Sequence, residues 1–207
     1  MAYDLEEQEQ LDEFKAWWKR YGQMASTLVI AALLAYASFQ GWKYYQNKQS
    51  VEASTQYQEL LVTDEKDLKA IKAKSAALMD NFSGTPYAGR AALFAAKINY
   101  QANDAKSAKA QLDWTIKNAK ETSISALASL QLANILAEEK DNEAALKLLN
   151  APHDSGFDGL FADLKGDVLV SLGKNSEAKL AYKEALSKLN PQGKYRTFTQ
   201  QKLEALG

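Results

Sequence analysis

The sequence predicts an all-α protein in which one transmembrane helix near the N-terminus is followed by a helical-repeat solenoid. Three observations carry that prediction. Ala, Leu, Lys, Glu and Gln, which lose little rotamer freedom in a helix, are abundant, while only three prolines and ten glycines interrupt 207 residues. Residues 21–42 form an unbroken uncharged stretch. In the second half, the same turn-and-helix pattern returns three times.

The first 20 residues read as a short tail. Six acids (Asp4, Glu6, Glu7, Glu9, Asp12 and Glu13) precede the apolar run. Leu11, Phe14, Trp18 and Tyr21 recur at helical spacing, so the tail is expected to be an amphipathic helix. It either lies along the membrane surface before turning into the span or simply extends the span.

Residues 21–45 are expected to cross the membrane. The 22 residues from Tyr21 to Trp42 give a helix of about 33 Å, enough for a hydrocarbon core of about 30 Å. Trp17, Trp18 and Tyr21 stand at one end and Trp42, Tyr44 and Tyr45 at the other, where aromatic rings favour the boundary between lipid and water. Ala35-Tyr36-Ala37 has the small residues a signal peptidase reads, but a signal peptide begins with a short positive segment rather than 20 acid-rich residues. The stretch therefore reads as an anchor. Lys15, Lys19 and Arg20 before it, against Lys43 and Lys48 after it, favour a cytoplasmic N-terminus in a single-pass type II topology, which puts residues 46–207 outside the cytoplasm, in the periplasm if the source is a Gram-negative bacterium.

Residues 46–207 read as one helical domain. Helix is expected to continue through 46–62, with Val51, Tyr57, Leu60 and Leu61 buried, and to resume over 67–81 around Leu68, Ile71, Leu78 and Met79. Ser83-Gly84-Thr85-Pro86 breaks the pattern. The repeats follow. Asn103-Asp104-Ala105-Lys106-Ser107-Ala108 precedes Leu112, Glu139-Lys140-Asp141-Asn142-Glu143-Ala144 precedes Leu148, and Gly173-Lys174-Asn175-Ser176-Glu177-Ala178 precedes Tyr182. The three alanines lie 36 and 34 residues apart, close to the tetratricopeptide period of 34. Gly166 and Ala178 would let two helices approach closely, with Tyr182 filling the gap to the next pair. Ala96 and Ala108 take the same roles in the first unit, as do Ala133 and Ala144, or a neighbour one residue away, in the second. Arg196 to Leu206, with Phe198, Leu203 and Leu206 as its apolar side, is expected to cap the stack.

A stack of this kind has a concave face lined by the first helix of each pair, and such faces bind segments of other proteins. The register puts Lys97, Tyr100 and Gln101 there from the first unit, Asn134 and Glu138 from the second, and Asp163, Asp167 and Ser171 from the third. The alternative for each of them is a solvated helix face.

Composition closes several other routes. A formal net charge of −1 without a basic stripe argues against nucleic acid as a partner. The absence of cysteine removes disulfides and thiolate chemistry without fixing the compartment. His153, the only histidine, lies in the turn-rich Ala151-Pro152-His153-Asp154-Ser155-Gly156 and reads as an exposed loop residue, since adjacent turn residues do not converge as a triad requires. No glycine-rich phosphate loop occurs. The expectation is a binding protein rather than an enzyme, with no cofactor, metal or small-molecule substrate.

Four local patterns resemble the YfgM family of ancillary subunits of the SecYEG translocon. They are Leu11-Asp12-Glu13-Phe14-Lys15-Ala16-Trp17-Trp18-Lys19-Arg20-Tyr21-Gly22 in the tail and Gly41-Trp42-Lys43-Tyr44 at the close of the span. Tyr87-Ala88 with Ala91-Ala92-Leu93 enters the first repeat, and Ala162-Asp163-Leu164-Lys165-Gly166-Asp167-Val168-Leu169 with Gly173-Lys174 lies in the third. The resemblance runs along essentially the whole chain. It implies an inner-membrane protein with a periplasmic repeat domain that associates with the SecYEG translocon and the membrane-bound periplasmic chaperone PpiD, and that helps pass exported client proteins to periplasmic chaperones. It also implies a link to envelope stress signalling. The rival readings are an anchored scaffold for another cell-envelope complex and a regulator of envelope stress signalling; a cytoplasmic-facing regulator would require the opposite topology.

Overall fold

The computed structural model describes residues 2–207, with side chains from Glu6 onward. Asp4, one of the six acids of the tail, lies outside the described side chains. Among the described residues the long regular elements are nine α-helices: α1 (Ala2–Leu61), α2 (Leu68–Asn81), α3 (Pro86–Gln101), α4 (Ala105–Asn118), α5 (Thr122–Glu138), α6 (Asn142–Leu149), α7 (Asp158–Ser171), α8 (Asn175–Lys188) and α9 (Lys194–Ala205). The chain divides into two units, Met1–Lys48 and Gln49–Gly207, and α1 supplies residues to both.

In the first unit, helix runs past residues 20 and 21 without a turn, so the tail extends the apolar stretch rather than bending away from it. Gly22 would be a weak point in such a helix. Trp18 folds back over it, its ring atoms 3.0 Å from where a Cβ would stand. Phe14, Trp17, Trp18 and Tyr21 form a continuous aromatic band, with ring centroids 6.1–6.2 Å apart. Beyond it, Leu28, Ile30, Leu33, Leu34 and Phe39 are all exposed. This is the one helix among the described residues long and apolar enough to cross a membrane, and only 6% of its most apolar window is buried within the protein. A core helix of a water-soluble domain would be covered. Its polar atoms stay within the helix, as a lipid environment demands: Ser26 Oγ donates to the Gly22 carbonyl at 2.7 Å and Thr27 Oγ1 to that of Gln23 at 2.8 Å.

In the second unit, the end of α1 packs with α2 and α3 through Ala53, Leu60, Ile71, Leu78, Ala91 and Ile98. Ala53, Tyr57 and Leu60 share one helical stripe, whereas Val51 and Leu61 lie off it and are exposed, contrary to the expectation from sequence. Three helix pairs follow, α3 with α4, α5 with α6 and α7 with α8, and α9 closes the series.

Each pair is joined by the same turn. Asn103, Lys140 and Gly173 sit in the left-handed region with φ of 62°, 68° and 73°. The next residue donates its N–H back to the ending helix: Asp104 to Asn99 O at 2.8 Å, Asp141 to Leu136 O at 2.8 Å and Lys174 to Leu169 O at 2.9 Å. That closes a Schellman turn, and the donor is also the N-cap of the following helix. Asp104 and Asp141 complete the junction by accepting the N–H of Ser107 at 3.0 Å and of Ala144 at 3.2 Å.

Counted from these caps, the structural repeats are 37 and 33 residues. This corrects the register of the second unit by one position. Ala145 and Leu149 are buried where Ala144 and Leu148 were expected, because the helix begins at Asn142 and its fourth residue, not its third, faces the pair. The contact between paired helices is volume-matched. Ala96 faces the helix bearing Leu112 and Ala133 the helix bearing Leu149, whereas Gly166 faces Tyr182, whose ring a Cβ at 166 would overlap. A larger side chain on the second helix thus meets a smaller one on the first.

Two predictions follow from the turns and the packing. Gly173 has open space around its missing Cβ, so Gly173→Ala carries only the backbone penalty and lowers stability by about 1 kcal/mol; Lys140→Gly relieves the same strain and raises it by up to about 1 kcal/mol. Urea denaturation resolves both, and equal midpoints for Gly173→Ala and the parent would refute the account. Gly166→Ala is expected to lose about 2 kcal/mol through overpacking, and Tyr182→Leu in the same chain to recover about half. A double-mutant cycle with no coupling between the two positions would show that the ring does not set the helix spacing.

Candidate protein-binding groove

The first helices of the pairs, α3, α5 and α7, with α9 after them, lie side by side and leave a cavity of about 510 Å³. Its apolar lining comes from Ala96 of α3, Leu127, Leu130 and Ile135 of α5, Leu160 of α7 and Leu112. Polar side chains surround this floor: Lys97, Gln101, Gln131 and Asn134, with Tyr100 and Tyr195 contributing rings. A smaller recess of about 290 Å³ adjoins it, lined by Tyr57, Arg90, Leu93, Phe94 and Ile124, and shares Lys97 and Gln131 with the first. Pockets of this size with an apolar floor and a few polar groups are the usual form of a binding site.

Four of the residues expected on the concave face, Lys97, Tyr100, Gln101 and Asn134, line this cavity together. Glu138 stands at its margin and accepts hydrogen bonds from the Tyr100 hydroxyl and from Asn134 Nδ2 at 2.8 Å. The bond to Glu138 holds the Tyr100 phenol above its ordinary pKa, with desolvation acting the same way. This bridge ties α3 to α5 at one end. Arg90 ties them at the other, donating Nε and Nη2 to the two Glu121 oxygens at 2.7 Å each.

The three expected residues of the third unit lie elsewhere. Asp163 and Asp167 face α9, where Lys202 Nζ reaches them at 2.8 and 2.7 Å. Thr199 Oγ1 donates to Asp163 at 2.8 Å, and the Tyr182 hydroxyl donates to Asp167 at 2.8 Å. Burial pushes the Tyr182 phenol up, and the Asp167 carboxylate adds to it. Ser171 Oγ donates to the Val168 carbonyl at 2.7 Å, near the start of α6. The reason is the terminal helix: α9 takes the position after α7 that α5 takes after α3, so these carboxylates are consumed within the chain. In α9 and its C-cap, Leu203 and Leu206 pack inward as expected, whereas Phe198 is exposed and its neighbour Thr199 is buried in its place.

Sequence reasoning missed Leu127, Leu130, Gln131, Leu160 and Tyr195. The first three are the 37-residue equivalents of Arg90, Leu93 and Phe94, which lie a turn or more before the expected Lys97 and Asn134 and were not among the positions projected onto the face. His153 is also placed differently from expectation. It is not an exposed loop residue: its side chain is 19% exposed and its ring stacks on Phe161 with centroids 3.6 Å apart. Nδ1 bonds the Ala151 carbonyl at 2.8 Å, while Asp154 is engaged with Thr122 Oγ1 at 2.7 Å and Gly156 N–H at 2.9 Å. The loop neighbours therefore point to different partners, and the histidine packs α7 against the loop before it.

Because α9 buries one residue fully and Lys202 makes its two ion pairs to α7, its attachment should be sensitive to that charge. Lys202→Met leaves two carboxylates facing each other without their cation. Amide exchange in α9 is then expected to rise about tenfold while α3–α6 stay protected; unchanged α9 exchange would assign the attachment to Leu203 and Leu206 instead.

The family model described as a tetratricopeptide repeat-like domain matches residues 15–207. A protein of Neisseria gonorrhoeae is 34% identical over 215 residues, covering 100% of both chains. One from Haemophilus influenzae is 29% identical over 188 residues (89% of this chain, 91% of the relative), and one from Escherichia coli is 26% identical over 174 (83% and 84%). Each of the three relatives bears the name ancillary SecYEG translocon subunit.

Proposed function

The chain belongs to the YfgM family of ancillary SecYEG translocon subunits, and on that premise we propose that it is an inner-membrane adaptor rather than an enzyme. Its span associates with the SecYEG translocon, and its repeat domain holds protein segments as they leave it. The observation that carries the binding role is the groove: an apolar floor ringed by polar side chains, on the face that helical repeats use for partners.

The orientation is type II, with the tail cytoplasmic and the repeats periplasmic. The basic residues Lys15, Lys19 and Arg20 beside the aromatic band of Trp17, Trp18 and Tyr21 support it, as does the need for the groove to meet chains after export. Trp42, Tyr44 and Tyr45, all exposed, seat the opposite end in the lipid boundary. In this arrangement exported clients pass from the groove to periplasmic chaperones, with the membrane-bound chaperone PpiD as the neighbouring partner.

Two measurements on the full chain test this reading. Recovered from membranes in mild detergent, it is expected to bring SecYEG subunits and PpiD with it, and a chain whose residues 21–45 are replaced by an unrelated apolar span is expected to lose the SecYEG subunits. A periplasm-dependent reporter fused after Leu206 is expected to be active. Recovery of a different envelope complex, or a reporter active only in the cytoplasm, would replace the adaptor reading with a scaffold or a regulator.

A further inference from the structure

The charges around the groove are unequally engaged. Two cations line the cavity and its adjoining recess, Arg90 and Lys97. Arg90 is saturated by its two-point contact with Glu121. Lys97 is exposed and has no hydrogen bond or ion pair among the described residues, although it lines both spaces. Of the nearby carboxylates, Glu121 is paired with Arg90, while Glu138, at the margin, accepts hydrogen bonds from the neutral Tyr100 and Asn134. The lining of the two spaces thus offers one unpaired positive charge and no carboxylate, Glu138 keeping its charge at the margin. Gln101 and Gln131 are likewise without hydrogen bonds among the described residues. Each amide presents a donor and an acceptor, which matches the unpaired N–H and C=O of an extended backbone; a helix satisfies those groups itself.

We propose that the groove selects extended segments of a partner protein in which an apolar side chain lies next to a carboxylate, with the apolar group on the Leu127–Leu130 floor and the carboxylate on Lys97. This rests on the adaptor reading and names the class of segment that the adaptor takes. Segments with a lysine or arginine at the same place are rejected, because Lys97 repels them and no carboxylate lines the groove beside it.

The test uses the full chain in mild detergent and three fluorescein-labelled nonapeptides that alternate leucine with glutamate, with glutamine or with lysine. Binding is read by anisotropy. The glutamate peptide is expected to bind about three- to fivefold more tightly than the glutamine peptide, the scale of one partly exposed ion pair, with the lysine peptide weakest. Lys97→Gln should abolish the difference and Lys97→Glu should reverse the order. Equal binding of the glutamate and glutamine peptides, or an unchanged order in Lys97→Glu, overturns the charge selection and leaves the adaptor reading standing. Failure of all three peptides to bind overturns both.

Discussion

The two helices of each pair are joined through a residue that belongs to both. Asp104, Asp141 and Lys174 each give a backbone N–H to the helix that is ending and stand at the N-cap of the helix that is beginning. At Asp104 and Asp141 the side chain also accepts a bond from the new helix, so both orphaned ends are satisfied in one step. This requires the preceding residue to adopt positive φ, so the geometry of the stack rests on three backbone conformations that side chains generally resist. Once each turn is closed, the helix pair is fixed in direction. Its separation is then set by which small residue meets which large one, as in Ala96 with Leu112 and Gly166 with Tyr182.

The groove is a consequence of that order rather than a separate construction. Because every pair turns the same way, the first helices fall side by side, and their outward positions line one face. The floor at Leu127, Leu130 and Leu160 is what remains when a series of similar helices has no further layer to cover it. Tyr100–Glu138 and Arg90–Glu121 hold the walls at a fixed distance without filling the space between them. The last position of the series is treated differently. There α9 arrives with little apolar surface and is held by Lys202 between two aspartates, so the stack ends in a polar contact rather than in another exposed apolar face.

Much of this was legible in the sequence, for reasons that differ from element to element. The span was plain because a long uncharged run between aromatic belts has few other uses. The repeats were plain where glycine, alanine and tyrosine mark close approach, as at Gly166, Ala178 and Tyr182. The second unit was harder to read. Its turn is entered through Lys140, which carries no sign of positive φ, and the register of α6 came out one residue early; Leu130 and Gln131, on α5, were missed because they lie a turn before the expected positions Asn134 and Glu138. The third unit misled for another reason: Asp163 and Asp167 occupy concave positions by periodicity, but pairing with a helix some 35 residues further on is a tertiary fact that no local pattern records. Val51 and Leu61 show the same limit at smaller scale, since apolar character alone does not say which stripe of α1 meets α2.

The shared turn has a consequence for how such chains lengthen and shorten. Asn103 and Lys140 mark the same geometric point in two successive units, with the same φ and the same closing bond. Removing the 37 residues between them, or inserting a second copy, would leave ends that already fit each other. The backbone junction is therefore the same at both ends of that 37-residue segment, and the spacing of units along the groove is set at the turns.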